Sequence, residues 1–184
     1  MDTVYNGQSG PFMQTFKFLS YSFMFIIYHE EKTAKAMVEG VDLLETILGK
    51  DLFLKEVKVI KTDRGSEFSD AEGLEKDNDG SIRTHVFYCD PMASWQKPHI
   101  EKNHEYIRYV IPRGKSFDPY TQEDMTLLMN HINSVRRKSL NGKAPYELII
   151  KEDEDMKALM ALLKMDLIPP DEVHLAANLF NKNR

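Results

Sequence analysis

The chain has 184 residues, of which 42% are hydrophobic and 29% charged, with a net charge of −5. That length predicts one domain with an appended tail, long enough to bury a core, and the balance is ordinary for a globular protein. Its one cysteine, Cys89, excludes an internal disulfide framework and fits a reducing, intracellular setting, and the most apolar stretch, Phe18 to Tyr28, falls short of the roughly 20 residues that span a bilayer and lacks a secretory flank.

An acidic total argues mildly against nucleic acid, but the charge is unevenly spread. Residues 1–94 carry 10 basic and 16 acidic side chains, residues 95–143 carry 9 and 5, and residues 144–184 carry 5 and 8. The middle stretch is therefore a basic footprint inside an acidic chain, either a phosphate-facing surface or an ordinary solvated face.

Taken in order, Asp2-Thr3-Val4-Tyr5 reads as a strand and Asn6 to Gly10 as turn chemistry. Two β-rich runs follow between Pro11 and Tyr28, joined near Leu19–Tyr21, which predicts an antiparallel meander of three strands. Thr33 is placed to cap a helix reaching Leu48, with Met37, Val41, Leu44 and Leu48 on one face and Gly49 as its stop. After a short apolar connection, Val57 to Ile60 alternates as a strand that delivers Asp63 at its carboxyl end. Ser69 to Gly80 is acidic and turn-rich, a loop with a short helix, and Thr84 to Cys89 is a strand in which Cys89 is a packed thiol.

Pro98 suits the first turn of the next helix. On it Glu101, His104, Glu105 and Arg108 share one face, while Ile100, Ile107, Val110 and Ile111 are placed to pack on the sheet. Thr121 and Asp124 make a capping box for a helix with Leu127, Leu128, His131, Ile132 and Val135, and the cations Arg136, Arg137 and Lys138 lie near its end. Ala144 to Leu148 opens a short helix. From Lys151 the composition turns acidic, with helical pieces around Met156–Met165 and Asp171–Phe180 split by Pro169-Pro170. The expected division is a core over 1–150 and an acidic helical C-terminal tail over 151–184. The element order predicts an α/β domain with a mixed sheet, the ribonuclease H-like order.

Three acids stand on separate elements: Asp2 on the first strand, Asp63 at a strand end, and Glu101 on a helix. Acids so placed suit a divalent-metal site for phosphate chemistry. Spacing leaves a second reading open, in which Asp63 starts a turn with Gly65 and Glu101 pairs with Arg108 or Lys97. Trp95, ahead of the helix, is assigned to packing beneath it rather than to base stacking.

The motifs KTDRGSEF (Lys61–Phe68), YCDPMASWQ (Tyr88–Gln96), IEKNHEYIR (Ile100–Arg108), IPRGKSF (Ile111–Phe117) and LNGKAPYEL (Leu140–Leu148) occur in one order. In that order the chain resembles the DDE transposases with a retroviral-integrase-like catalytic core, close to the insertion-sequence-thirty family, over roughly Asp2 to Leu148. The resemblance implies a ribonuclease H-like mixed five-stranded sheet flanked by helices. It implies metal-dependent cleavage and strand transfer of DNA at insertion-sequence ends, with Asp2, Asp63 and Glu101 as catalytic metal ligands for two Mg2+ (or Mn2+) ions. Asn103, His104 and Arg108 would face the DNA near the metals, Lys97 and Lys102 would contact phosphates, and Arg136, Arg137 and Lys138 would track transposon-end or target DNA. No small-molecule cofactor and no membrane partner are implied. The expected setting is the bacterial cytoplasm, at the nucleoid, and the helix around Met125–Val135 and the tail are candidate surfaces for a homodimer.

Three positions depart from the family pattern: Arg64 and Lys102 stand where asparagine is usual, and Pro98 where glycine is usual. Such transposases are also expected to carry an N-terminal helix-turn-helix region, whereas this sequence opens directly on the strand with Asp2. The alternative expectation is therefore a truncated, catalytically inactive remnant that only binds DNA or dimerises.

Overall fold

A computed structural model describes residues 1–7, 9–90, 98–152 and 154–180, with the side chains at 98–101, 152, 159 and 162 outside that description. Trp95, Gln96 and Lys97, and the side chain of Glu101, thus lie outside the described residues.

Strands β1 (Asp2–Val4), β2 (Phe12–Phe18) and β3 (Phe23–His29) form the expected antiparallel meander, with Asp2 opposite Thr15 and Phe16 opposite Phe25. The first five residues of both β2 and β3 are buried, so the sheet is covered on both faces, and the runs lack the in–out alternation of a half-solvated sheet. On one side lies α1 (Ala34–Leu48), capped by the Thr33 hydroxyl and ended by Gly49 at φ 76°, with Met37, Val41, Leu44 and Leu48 buried as the periodicity predicts.

The free edge of β3 is closed by α5 (Gln122–Ser134), whose capping box from Thr121 to Asp124 forms as expected. Three α5 side chains accept from successive outward amides of β3. Met24 N–H donates to Asn133 Oδ1 at 2.8 Å, Ile26 N–H to Met129 S at 2.9 Å, and Tyr28 N–H to Gln122 Oε1 at 2.8 Å. Edge amides that would otherwise template another strand are thereby satisfied within the chain.

The connection after Gly49 is not merely apolar coil. Gly49 ends α1 and its carbonyl accepts from Phe53 to start α2 (Lys50–Glu56), which buries Phe53. Strands β4 (Val59–Thr62) and β5 (His85–Tyr88) pair in parallel, with α3 (Ala71–Glu75) between them in sequence. The expected five-stranded sheet is not formed as one ladder; the described strands make a three-stranded antiparallel sheet and a two-stranded parallel one. The physical reason is the brevity of β1. The Met1 ammonium donates to Lys61 O at 2.7 Å, which brings β1 alongside β4, but one bond is not a ladder.

Helices α4 (Pro98–Val110), α6 (Pro145–Glu152) and α7 (Glu154–Leu162) complete the fold. Ile107, Val110 and Ile111 are buried on the inner side of α4, as expected. The residues after Lys151 share the same interior: Met156, Met160 and Met165 join the core, and the Tyr146 hydroxyl donates to Met165 O. The helix expected over 171–180 does not form. Isolated turns replace it, Glu172 N–H to Pro169 O and Leu179 N–H to Ala176 O, and the His174 amide is drawn off to His131 Nδ1 at 3.0 Å. Among the described residues no helix is long and apolar enough to cross a membrane.

A candidate carboxylate site where the two sheets meet

Asp63 stands just past the carboxyl end of β4, where its Oδ1 accepts from Gly65 N–H at 2.9 Å and starts a tight turn. That turn leads into a single 3-10 turn, Ser66–Phe68, which carries Glu67 inward. The Glu67 side chain is 8% exposed, accepts from the Thr3 hydroxyl at 3.0 Å and pairs with Lys32 at 3.4 Å. A β-carbon at Gly65 would sit 2.5 Å from Glu67 Oε2 and 3.1 Å from Asp63 Oδ1, so both carboxylates converge on the space beside that glycine.

Asp2 reaches the same corner from the other sheet. Met1 is bonded to Lys61 O, two residues before Asp63, and Thr3 is bonded to Glu67. Asp2 therefore lies between two tethers that both end on the Lys61–Phe68 segment. Its own Oδ1 accepts from Thr3 N–H at 2.8 Å, which holds the side chain close to its strand.

The acid expected as the third ligand, Glu101, stands on α4. His104 Nε2 meets the Thr15 hydroxyl at 2.9 Å, and that hydroxyl also lies 3.1 Å from Asp2 O. One turn further on, Arg108 donates to Asn6 Oδ1 and to Tyr5 O. The His104–Arg108 face of α4 thus runs along β1 and the turn after it. The backbone of Glu101 is one turn before His104 on that helix, and its side chain lies outside the described residues.

Among the described residues, which leave out the Glu101 side chain, no group of three or more His, Cys, Asp or Glu is placed to hold a metal ion. The expected ligands Asp2, Asp63 and Glu101 are all carboxylate oxygen donors. That chemistry fits a hard cation such as Mg2+ or Mn2+ and does not fit a soft one.

The expected DNA-facing residues divide. Lys102 is exposed and pairs with Glu105; Arg136 is exposed and pairs with Glu147 at 3.2 Å; Lys138 is exposed in a second 3-10 turn, Lys138–Leu140. Two others are corrected by the structure. Asn103 is fully buried, and its Oδ1 accepts from Arg137 at 3.1 Å and from Lys17 at 3.3 Å. Arg137 is buried as well, donating to Ser22 O and Oγ and to Ile132 O. Both serve the interior, locking α4 to the β2–β3 turn. The signal for Asn103 was present, since it stands four residues before Ile107 on the inward row of α4. Burial, and then Arg137, pull the Lys17 pKa down to about 8.

Sequence reasoning passed over Glu67. Its signal is its place in KTDRGSEF: four residues after a strand-end acid and directly before an apolar residue, Phe68, that is wholly buried. It also passed over an open groove of about 530 Å3 beside the site, lined by Thr3, Tyr5, Asn6, Gly7, Arg108, Arg113 and Gly114.

No protein-family model matches the chain. It is 33% identical over 92 residues to the InsI transposase of insertion sequence element IS30A from Escherichia coli (strain K12), a match covering half of this chain and 23% of that protein. The chain resembles the transposases of IS30-type insertion sequences. Further similarity is found to a candidate integrase, ORF3 of Spiroplasma virus SpV1-R8A2 B, at 29% identity over 127 residues, which is 69% of this chain and 37% of that protein. The transposase of insertion sequence element IS4351 from Bacteroides fragilis is 29% identical over 91 residues, half of this chain and 27% of its own length. In each match the chain spans well under two thirds of the relative.

Proposed function

We propose that this chain is the catalytic core of a DDE transposase that cleaves and joins DNA at insertion-sequence ends, built on a ribonuclease H-like arrangement of its two sheets. The observation that carries the reading is the double tether of β1: the Met1 bond to Lys61 O and the Thr3 bond to Glu67 hold Asp2 against the turn that presents Asp63. The seating of α4 on Thr15 and Asn6 supports adding Glu101 to that pair. The similarity to transposases supports DNA as the substrate.

Asp2, Asp63 and Glu101 would hold the divalent cation, Mg2+ or Mn2+, two ions in this reading. Bound there, it supplies Lewis-acid polarisation of a phosphodiester and a lowered pKa for attacking water. The chain's own part is positional. Asp63 is fixed by its bond to Gly65, Asp2 by its bond to Thr3, and Glu67 keeps the two elements together while its charge is balanced by Lys32. Lys102, His104, Arg108, Arg136 and Lys138 are assigned to the DNA side in this reading, and Lys97 with them. A homodimer through the outer face of α5, where Leu127 is exposed, and a nucleoid setting in the bacterial cytoplasm complete it.

The test is a metal titration followed by melting temperature. Mg2+ or Mn2+ should raise it in the wild type, and Asp63→Asn should remove the effect. In parallel, an oligonucleotide duplex bearing the element's end is incubated with metal and with the end-binding domain supplied in trans. Joined product is expected. A metal-indifferent wild type that leaves the duplex intact sinks the catalytic reading in favour of a DNA-binding remnant, and products hydrolysed but never joined indicate a nuclease instead.

A further inference from the structure

The sequence motif IPRGKSF has no part in the carboxylate site, yet the structure places it against the start of the chain. Asn6 is the joint. Its Nδ2 donates to Pro112 O at 3.2 Å and to Lys115 O at 2.6 Å, while its Oδ1 accepts from Arg108. This one side chain holds the 112–115 turn beside the Asn6–Gly7 turn and leaves the groove between them. Gly7 and Gly114, the latter at φ +82°, contribute no side chain to its lining, and the charged residues that line it, Arg108 and Arg113, are both cationic.

Among the described residues neither of its two arginines has a carboxylate partner. Arg108 is half-buried and spends its guanidinium on two neutral acceptors, Asn6 Oδ1 and Tyr5 O. Arg113 is exposed and has neither hydrogen bond nor ion pair among the described residues. Lys32 adds a third cation at the rim, over the Tyr5 ring at 3.8 Å, although its charge is shared with Glu67. Two guanidinium groups facing one groove without a carboxylate between them repel each other, and Arg108 feels it: burial and then Arg113 hold its pKa below the ordinary value. An anion in the groove relieves that repulsion.

We propose that the groove between the Asn6–Gly7 turn and the Arg113–Gly114 turn seats a backbone phosphate of a DNA strand leading to the carboxylate site, with Arg113 and Arg108 as its cationic contacts. The choice of a strand over a free ion rests on continuity. Thr3 lines the groove and also bonds Glu67, and Tyr5 lies three strand residues beyond Asp2, about 10 Å away. That distance is on the order of three nucleotide steps at the rise of one strand. An open groove with an exposed tyrosine suits a chain passing through it, where a free phosphate would be better held in a closed pocket. The inference shares its substrate with the function proposed above but does not depend on catalysis.

The experiment is fluorescence anisotropy of a labelled oligonucleotide duplex bound by the full chain in EDTA, over a series of salt concentrations. Arg113→Gln and Arg113→Glu should weaken binding by about five- to tenfold or more and lower the salt slope by roughly 0.9, the contribution of one phosphate contact. Lys157→Gln, an exposed lysine on α7, is the control and should change neither. Binding and slope unmoved by Arg113→Glu would overturn the proposal, as would an equal change from Lys157→Gln. Displacement of the duplex from the wild type by millimolar inorganic phosphate at matched ionic strength would overturn the strand in favour of a free ion. Because metal is withheld, the two readings fail separately. An inactive protein that keeps the Arg113-dependent slope fails only in catalysis, and an active one whose binding ignores Arg113 fails only here.

Discussion

Gly65→Ala isolates the packing of the two carboxylates. Gly65 has φ −58° and ψ 147°, which alanine adopts without strain, so the backbone does not oppose the change. Restricting the unfolded chain would by itself favour alanine by roughly 0.4–1 kcal/mol. Space opposes it. The new methyl would lie 2.5 Å from Glu67 Oε2, 2.8 Å from Glu67 Cδ and 3.1 Å from Asp63 Oδ1. A free glutamate would swing aside at little cost, but Glu67 is buried and held by Thr3 and Lys32. Overpacking of this kind costs about 1–3 kcal/mol, which leaves a net loss of up to about 2.6 kcal/mol. For a chain of this size each kcal/mol moves the melting temperature by roughly 2–4 °C. The decisive assay is a double-mutant cycle in urea with Glu67→Ala. Once the glutamate is gone the methyl has room, so Gly65→Ala should become neutral or stabilising, a coupling of about 1–2 kcal/mol. Equal effects of Gly65→Ala in both backgrounds would refute the claim that Glu67 is clamped against this turn.

Three further outcomes follow from other parts of the fold. Arg83 is buried and donates to Leu74 O, Gly73 O, Asp42 and Glu45, so it ties α3 and the entry to β5 onto α1. Arg83→Met should cost about 3–5 kcal/mol in urea unfolding, because two acids lose their buried partner. Asn133→Ala unties both the amide and the carbonyl of Met24, each bonded at 2.8 Å, and should cost about 1–3 kcal/mol and speed hydrogen exchange at the Met24 amide. The third concerns pH. Burial pulls His29 and His131 below the usual histidine value of 6.5, with Glu39 opposing the shift at His29 and His174 adding to it at His131. The unfolded chain then binds more protons as pH falls, so the stability these neutral rings contribute is full above about pH 6.5 and declines below it. His131→Asn, which keeps an acceptor for the His174 amide, should flatten the fall in melting temperature between about pH 6.5 and 5.5.

Where local chemistry dictated structure, the sequence was legible. Thr33 and Gly49 bound α1, Thr121 and Asp124 cap α5, and the apolar row of α4 packs inward, each through a rule confined to one or two turns. The failures have different physical origins. Helix α2 was hidden because Gly49 both ends one helix and starts the next, a double use no stop signal reveals. The residues after Pro170 have helical composition, but the amide of His174 finds a better acceptor in His131, forty-three positions away. Arg137 sits in a run of three cations that composition alone reads as one surface, and only tertiary packing shows that the middle one turns inward. For the site, motif order brought Asp2 and Asp63 into view, while Glu67 looked like one more acid in an acidic stretch.

That last omission bears on how such a site stays together. Three carboxylates on separate elements repel, so the elements must be held by something other than the acids themselves. Here the holding groups stand within four residues of each acid. Met1 and Thr3 flank Asp2, Gly65 and Glu67 follow Asp63, and His104 follows Glu101 by a turn. Met1, Thr3 and His104 each bond across to another element, so the corner is tied by an ammonium on a carbonyl, a hydroxyl on an acid that lysine neutralises, and an imidazole, while the Gly65 amide fixes Asp63 within its own turn. In the proposed site, such cross-linking would hold the elements that carry the acids before any cation arrives, which lowers the ordering cost of binding one. It also separates two kinds of damage. Loss of Asp63 should leave the fold stable and indifferent to metal, whereas loss of Thr3 or Glu67 should weaken both stability and the response to metal, because the cross-link and the site are the same few residues.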